Sequence, residues 1–214
     1  MASDMFEREG GAASDATREA LLQAVLKVSG ARGHRALTVE EVAAVADTTP
    51  ARFSALFTDL EDCYATAYEK WAGGFARNLL RSCRNHRNEA AGFRLAMEWM
   101  VGYTKAEPDT AKGAIGQSPL AGERVEAARQ ELLERLSHAV DNAGVESGSF
   151  HPSPPPVTAS FVIGGIAWTV ESTMRSSDAG SLAEQAPDLV FFAVLPFFGE
   201  EAAWNQRAAM KTRT

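Results

Sequence analysis

The sequence predicts an all-α fold, and three observations carry that expectation. Apolar residues recur at three- and four-residue spacing along most of the 214-residue chain, the period of a helix with one buried face. Helix-start signals stand where the runs begin. No stretch shows the sustained alternation of a half-buried strand, and no repeat or low-complexity tract breaks the pattern.

Taken in order, residues 1–13 are acidic, lack an apolar run and are expected as a disordered arm rather than a signal peptide. Ser14 and Asp15 open a first helix whose apolar face is Leu21, Leu22, Val25, Leu26 and Val28, ended by Gly30 and Gly33. Thr38 and Glu41 have capping-box spacing, so a second helix starts there with Val42, Val45 and Ala46 as its buried stripe. Thr49 before Pro50 pairs a hydroxyl cap with a residue that needs no N–H donor. The third helix so started buries Phe53, Leu56 and Phe57. Asp59 and Asp62 begin a fourth through Tyr64, Tyr68, Trp71 and Phe75 to about residue 84. Helices are expected at 89–105, 108–115, 120–142, 157–175, 186–198 and 200–210, with a Pro/Ser-rich loop over 145–156.

Composition narrows the function classes. An apolar fraction of 45% is that of a globular protein, and a net charge of −7 argues against general coating of nucleic acid. The two cysteines, Cys63 and Cys83, would lie about 30 Å apart on one helix, so no disulfide joins them; free thiols point to a reducing compartment. The apolar runs at 161–170 and 189–198 are half the roughly 20 residues of a spanning helix. The expectation is a cytoplasmic protein without a membrane partner. The histidines at 34, 86, 138 and 151 are scattered without metal-ligand spacing, and no nucleophile motif or phosphate-cradling glycine loop occurs. No catalytic residue, metal or cofactor is therefore assigned.

The segment EEVAAVADTTPARFSALF (40–57) reads as two short helices around a tight turn, a unit that commonly reads DNA. Within TREALLQAVLKVSGARGHRALTVEEVAAVADTTPARFSALFTDLEDCYATAYEKW (17–71), Arg18, Leu21, Leu22, Gly33, Thr38, Val39, Ala43, Ala46, Thr49, Phe53 and Phe57 resemble the N-terminal domain of the tetracycline-repressor (TetR) family of transcription regulators. AEPDTAKGAI (106–115), ERVEAARQELLERL (123–136) and PDLVFFAVLPFFGEEAA (187–203) look similar to actinobacterial members in order and spacing. The resemblance implies a helix-turn-helix DNA-binding domain over 14–60 and a helical ligand-binding and dimerisation domain over 61–214.

It further implies a homodimer that binds a pseudo-palindromic, double-stranded operator, most simply as a repressor, and is released by a small, largely apolar effector. The third helix would enter the major groove at its N-terminal end, with Thr38, Thr48, Thr49, Pro50, Ala51, Arg52, Ser54, Ala55 and Leu60 as the DNA-facing set. Arg52 can pair bidentately with guanine, and Ala51 and Ala55 can meet thymine methyls. The departures are chemical. Asp47 stands where glycine is common, and Ser54, Leu56 and Leu60 replace residues that usually contact phosphate. Residues 1–70 hold seven Lys/Arg against twelve Asp/Glu, a net −5. A helical ligand-binding protein whose head has weak or no DNA affinity therefore stays open beside the regulator, as does a ligand-triggered activator.

In the second half, Phe93, Met97, Trp99, Met100, Tyr103, Phe161, Trp168 and Met174 supply large apolar side chains. Trp99, Tyr103, Trp168 and Glu171 are the ligand-binding candidates among them, although such residues at helical spacing also build plain core. Gly164, Gly165, Trp168, Phe191, Phe192, Leu195 and Phe198 are the candidate dimer surface: glycines permit close helix approach, and the phenylalanines offer buried area. Arg77, Arg81, Arg84 and Arg87 form one stripe, read as a solvated face or as an attractor for an anionic ligand.

Overall fold

The computed structural model describes residues 2–83, 89–147, 154–176 and 179–211, and among them every regular element is helical. The chain divides into two compact units, Met1–Lys70 with Asp109–Glu126, and Trp71–Pro108 with Ala127–Thr214. This division departs from the expected boundary after residue 60, because residues 61–70 and 109–126 pack with the N-terminal helices.

In the first unit, α1 (Ala2–Arg32) starts well before Ser14, so the arm expected over 1–13 is helical backbone from Ala2. Acids at 4, 7 and 9 suit a helix N-terminus, which accounts for the earlier start. A 3-10 turn (His34–Ala36) leads to α2 (Val39–Val45), α3 (Pro50–Ser54) and the first turns of α4 (Leu60–Cys83). Each start is held by the cap its sequence announces. Thr38 Oγ1 accepts from the Glu41 N–H at 3.2 Å, and Thr49 Oγ1 from the Arg52 N–H at 3.2 Å. Asp59 Oδ1 accepts from the Asp62 N–H at 2.8 Å, while Asp62 Oδ2 accepts from the Thr58 N–H at 3.2 Å. The Glu41 carboxylate does not close the expected box; it pairs with Arg32 at 3.3 Å.

Leu21, Val25, Val42, Phe53, Phe57, Cys63 and Tyr64 form the core of this unit, each large side chain contributing about 1.5–3 kcal/mol by its burial. The Arg18 guanidinium lies 5.1 Å from the centre of the Phe57 ring. Val45 and Leu56 do not join the core as expected. Val45 is 52% exposed and Leu56 half-buried, because α2 meets its neighbours through the adjacent pair Val42 and Ala43, and α3 ends at Ser54.

The segment after α5 (Glu89–Ala106) comprises α6 (Pro108–Ala111), a π turn (Lys112–Gly116) and a 3-10 turn (Ser118–Leu120). Its backbone touches that of α1. A Cβ on Gly30 would lie 1.8 Å from the Asp109 carbonyl oxygen, and one on Gly113 would lie 1.9 Å from that of Leu26. Around this crossing the buried Tyr64 hydroxyl donates to the Gly113 carbonyl at 2.6 Å, and the His34 N–H donates to Gln117 Oε1 at 3.0 Å. The His34 ring meets the Tyr64 ring edge-on at 4.5 Å. Ser29 Oγ and His34 Nδ1 are buried without a hydrogen-bond partner among the described residues.

The second unit contains the later turns of α4, α5, most of α7 (Glu123–Ser147), α8 (Thr158–Arg175) and α9 (Ala179–Lys211). α7 extends into the stretch expected as loop. α9 begins ahead of residue 186, because fully buried Leu182 and Ala186 anchor the added turns. Gly199, at φ 81°, breaks α9 where two helices were expected. The stretch Leu182–Met210 is long and apolar enough to cross a bilayer by composition. Its Val190, Val194 and Phe197 are instead buried within the unit. Buried Arg94 of α5 donates through Nε to Gln206 of α9 at 3.0 Å and pairs with Glu98.

The crossing makes a direct expectation. Gly113→Ala should destabilise the fold by about 1–3 kcal/mol or more, because the obstacle is backbone that cannot rotate away. Gly102→Ala, on an exposed helical position with nothing within 4 Å of its Cβ, should stabilise by about 0.5–1 kcal/mol. Urea unfolding of both variants checks the pair; equal midpoints would remove the crossing as a constraint. His34 supplies a pH dependence. Burial pushes its pKa below the ordinary 6.5, with Glu61 opposing. Above pH 6.5 folded and unfolded chains both hold it neutral; below, the unfolded chain takes the proton first, so stability falls until the lower folded pKa is passed. Thermal unfolding from about pH 7.5 to about pH 5.5 should therefore show a smaller loss for His34→Gln than for the natural chain.

Candidate functional site

The expected reading head is built around the α2–α3 turn. Asp47 is the one described non-glycine residue at positive φ, 51°. Its N–H donates to the Ala44 carbonyl at 3.2 Å, and the Thr48 N–H donates to the Ala43 carbonyl at 2.9 Å. This paired pattern is a Schellman ending. Aspartate thus does the work expected of glycine, being one of the few residues that enter the left-handed region singly. The chain then reverses within Thr48 and Thr49 and enters α3 at Pro50.

The turn leaves a consistent face outward. Thr38, Thr49, Pro50, Ala51, Arg52, Ser54 and Ala55 are exposed, and Thr48 and Leu60 are half-buried. Phe53 points the other way, 1% exposed, and its ring lies 5.6 Å from that of Phe57. The core thereby fixes the roll of α3 about its axis, holding Ala51, Arg52 and Ala55 at the surface. Arg35 is exposed in the adjoining turn, while Arg32 is shared with Glu41. The start of α4 is different from an open anion site. Asp59 and Asp62 already supply carboxylates there, and Arg124 is drawn to them, with Asp62 at 2.9 Å and Glu69 at 2.7 Å. A phosphate approaching Leu60 would meet these acids.

In the second unit the four ligand-binding candidates do not converge. Trp71, Phe75, Trp99 and Tyr103 form one aromatic cluster. Trp99 stacks on Tyr103 at 5.5 Å, and Trp71 Nε1 donates to the Tyr103 hydroxyl at 2.7 Å. Burial raises the Tyr103 pKa, with the Trp71 contact opposing and Glu107 adding to the rise. Glu171 is buried and pairs with Arg129 at 3.1 Å; Trp168 is 68% exposed. None of these four lines a cavity of about 180 Å3 found within the unit.

That cavity lies among α4, α5, α7, α8 and α9. Its small side chains come in helical pairs, Gly92 with Ala96 on α5 and Ala139 with Ala143 on α7. Leu79, Leu80, Phe93, Leu136, Val140, Ile163 and Phe198 complete an apolar wall, with Cys83 and Glu89 as its polar members. The reading from sequence missed it by following large aromatics, which fill space. The usable signal was the four-residue spacing of Gly and Ala on helices otherwise rich in bulky residues.

α8 and α9 present an apolar outer face. Phe161 is 81% exposed, Trp168 68% and Phe192 64%. Phe161, expected in core, interface or pocket, is exposed on this face. Gly165 is exposed and Gly164 half-buried, and a Cβ on either meets nothing within 4 Å. Phe191, Leu195 and Phe198 are half-buried beside them. Of the arginine stripe, Arg77 and Arg81 are exposed; Arg84 and Arg87 lie outside the described residues. Cys63 and Cys83 are free, and burial pushes the Cys63 thiol up to about 12. Among the described residues no cluster of three His, Cys, Asp or Glu could hold a metal ion.

No family model and no curated protein matches the sequence. Solved structures do. The fatty acid degradation regulator FadR from Bacillus halodurans aligns with a TM-score of 0.71 and 12% identity, over 83% of this chain and 94% of its own. SmeT, repressor of the Stenotrophomonas maltophilia multidrug efflux pump SmeDEF, aligns with a TM-score of 0.70 and 16% identity, over 88% and 94%. A TetR family transcription regulator from Marinobacter aquaeolei VT8 aligns with a TM-score of 0.59 and 21% identity, over 90% and 95%. With the Schellman turn, the outward α3 face and the all-helical second unit, these alignments establish that the chain has the fold of the TetR-family transcription regulators.

Proposed function

We propose that the chain is a ligand-responsive transcriptional repressor acting as a cytoplasmic homodimer on a pseudo-palindromic operator. The observation that carries this reading is the α3 face: Ala51, Arg52 and Ala55 stand outward behind a capped N-terminus, with Phe53 anchoring the helix from below. Small side chains let the helix backbone approach the groove floor, and Arg52 is positioned to read guanine. A two-fold dimer through the α8–α9 face would put two heads about 34–36 Å apart, one duplex turn. Structures of the same fold include a FadR from Bacillus subtilis in complex with stearoyl-CoA and RolR with resorcinol. By analogy, an effector held in the second unit favours the dimer conformation that does not fit DNA, and acts only through its difference in affinity for the two states.

The acidic head and the carboxylates at the start of α4 favour a second reading, a ligand-binding protein with little DNA affinity. The two separate on charge. Between residues 33 and 60, the segment that carries the turn and α3, Arg35 and Arg52 are the exposed arginines without an acidic partner among the described residues, so these two would neutralise about four phosphates in a dimer. Binding should then weaken with salt at a log–log slope of about −4, shallower than a typical operator complex.

Selection of random duplexes on the purified protein, followed by salt titration of the winner, tests this directly. An enriched palindrome with that shallow slope supports the repressor; absence of enrichment at low salt supports the second reading. Arg52→Ala should lower discrimination at one operator position by about 1–3 kcal/mol, and an unchanged base preference would remove Arg52 from the interface. Phe192→Arg should convert the dimer to monomer in sedimentation, since it places a charge in the exposed apolar face; an intact mutant dimer would reject that face.

A further inference from the structure

The cavity among α4, α5, α7, α8 and α9 grades from inside to outside along α7. Leu136 is buried, Ala139 half-buried and Ala143 exposed, and all three line it. These residues share one face of the helix, three and four positions apart. At ~1.5 Å rise per residue, the slot is therefore roughly 10 Å from floor to rim. On α5, buried Gly92 belongs to the floor, and half-buried Ala96 stands one turn on. Apart from Cys83 and Glu89, the described lining is hydrocarbon.

Two measures of this space agree on the size of an occupant. Its volume, about 180 Å3, is somewhat above the roughly 150 Å3 of an engineered apolar cavity in another protein that binds benzene. Its depth matches an extended chain of about eight carbons, with carbon–carbon bonds of about 1.5 Å. A methylene that passes from water into the slot raises affinity about fourfold. One that extends past Ala143 stays in water and adds nothing. Ala96 and Ala139 end at Cβ, so the space exists because these two side chains are short.

We infer that this cavity is the effector site and that it selects by length, taking one or two rings or a hydrocarbon chain of about eight carbons, with Ala96 and Ala139 setting the limit. This rests on the reading of the second unit as the effector-binding part, and it adds the site, the ligand's size and the residues that fix it.

The test is a series of straight-chain primary alcohols, 1-butanol to 1-decanol, titrated calorimetrically into the full-length protein without DNA. All members are uncharged and share one head group, so only length varies. Affinity should rise about fourfold per methylene and level off at about eight carbons. Ala139→Leu should move that break to a chain shorter by about three carbons, the number the substitution adds to a closely packed wall. Ala96→Leu repeats the check from α5 if the first variant does not fold, as judged by circular dichroism.

The inference is overturned if no alcohol binds, if affinity keeps rising to decanol, or if a folded filling variant leaves the break in place. Because DNA is absent, a failed operator selection leaves these results readable. Conversely, a protein that enriches an operator yet binds no alcohol loses this site and keeps the repressor reading.

Discussion

The contact on which the first unit depends is the one between two backbones, at Gly30 and Gly113. A methyl group at either position would lie inside a carbonyl, so α1 and the segment from Asp109 to Gly116 are as close as two chains can come. This proximity brings the Gly113 carbonyl under the Tyr64 hydroxyl and Gln117 against the His34 backbone. Tyr64 stands on α4, and His34 stands where the chain leaves α1 for the reading head. One crossing therefore sets the end of α1, the first turns of α4 and the entry to α2. Two buried polar atoms, Ser29 Oγ and His34 Nδ1, lie there without a hydrogen-bond partner among the described residues, a cost that the surrounding packing has to offset.

Helices and caps were legible because their causes are local. Thr38, Thr49 and Asp59 each satisfy a backbone donor within three residues, and this needs no tertiary information. The left-handed Asp47 was legible only through the resemblance, which sets it where glycine is common. Features that required knowing which helix lies opposite were not. Residues 109–126 read as part of the second domain because they follow its helices in sequence, yet they pack on α1. Val45 matched the apolar period but lies outside the contact that Val42 and Ala43 make. Glu171 reads from sequence as a polar group for a ligand, whereas its carboxylate pairs with Arg129, 42 residues earlier. The cavity was hidden by the same limit: an unfilled volume depends on what is small on several helices at once.

The reading head has a chemistry of its own within the fold it shares. Much of the affinity for DNA ordinarily comes from cations on phosphates, and this head holds more acids than bases. What it retains is shape. Phe53 and Phe57 lock the roll of α3, the Asp47 turn sets its entry, and Ala51 and Ala55 clear a path to the groove floor. On the operator proposed above, such a head would depend more on fit and on direct base contact than on attraction at a distance. It would then discriminate strongly relative to its affinity, because the sequence-independent term would be small and the proposed Arg52 contact would keep its full weight. The acids in the first turns of α2 and α4 also stabilise those helices, so removing them to gain phosphate affinity would weaken the scaffold that aims Arg52.

A comparable trade appears in the second unit, where space rather than charge is kept. An apolar cavity forgoes dispersion contacts and stabilisation of about 24 cal/mol per Å3, a few kcal/mol for a volume of this size. Folding alone gives no reason to keep it, since one larger side chain at Ala96 or Ala139 would close it. The nearby aromatic cluster of Trp71, Phe75, Trp99 and Tyr103 shows what the same helices do where they are filled: rings meet at 4.7 to 5.9 Å and the one buried hydroxyl is satisfied. Filled and unfilled regions thus lie along the same α4–α5 pair, divided by whether the α5 residue is Trp99 or Tyr103 on one side or Gly92 or Ala96 on the other. A ligand of matching size would restore the missing contacts, and its binding energy would be drawn from packing the chain has left undone.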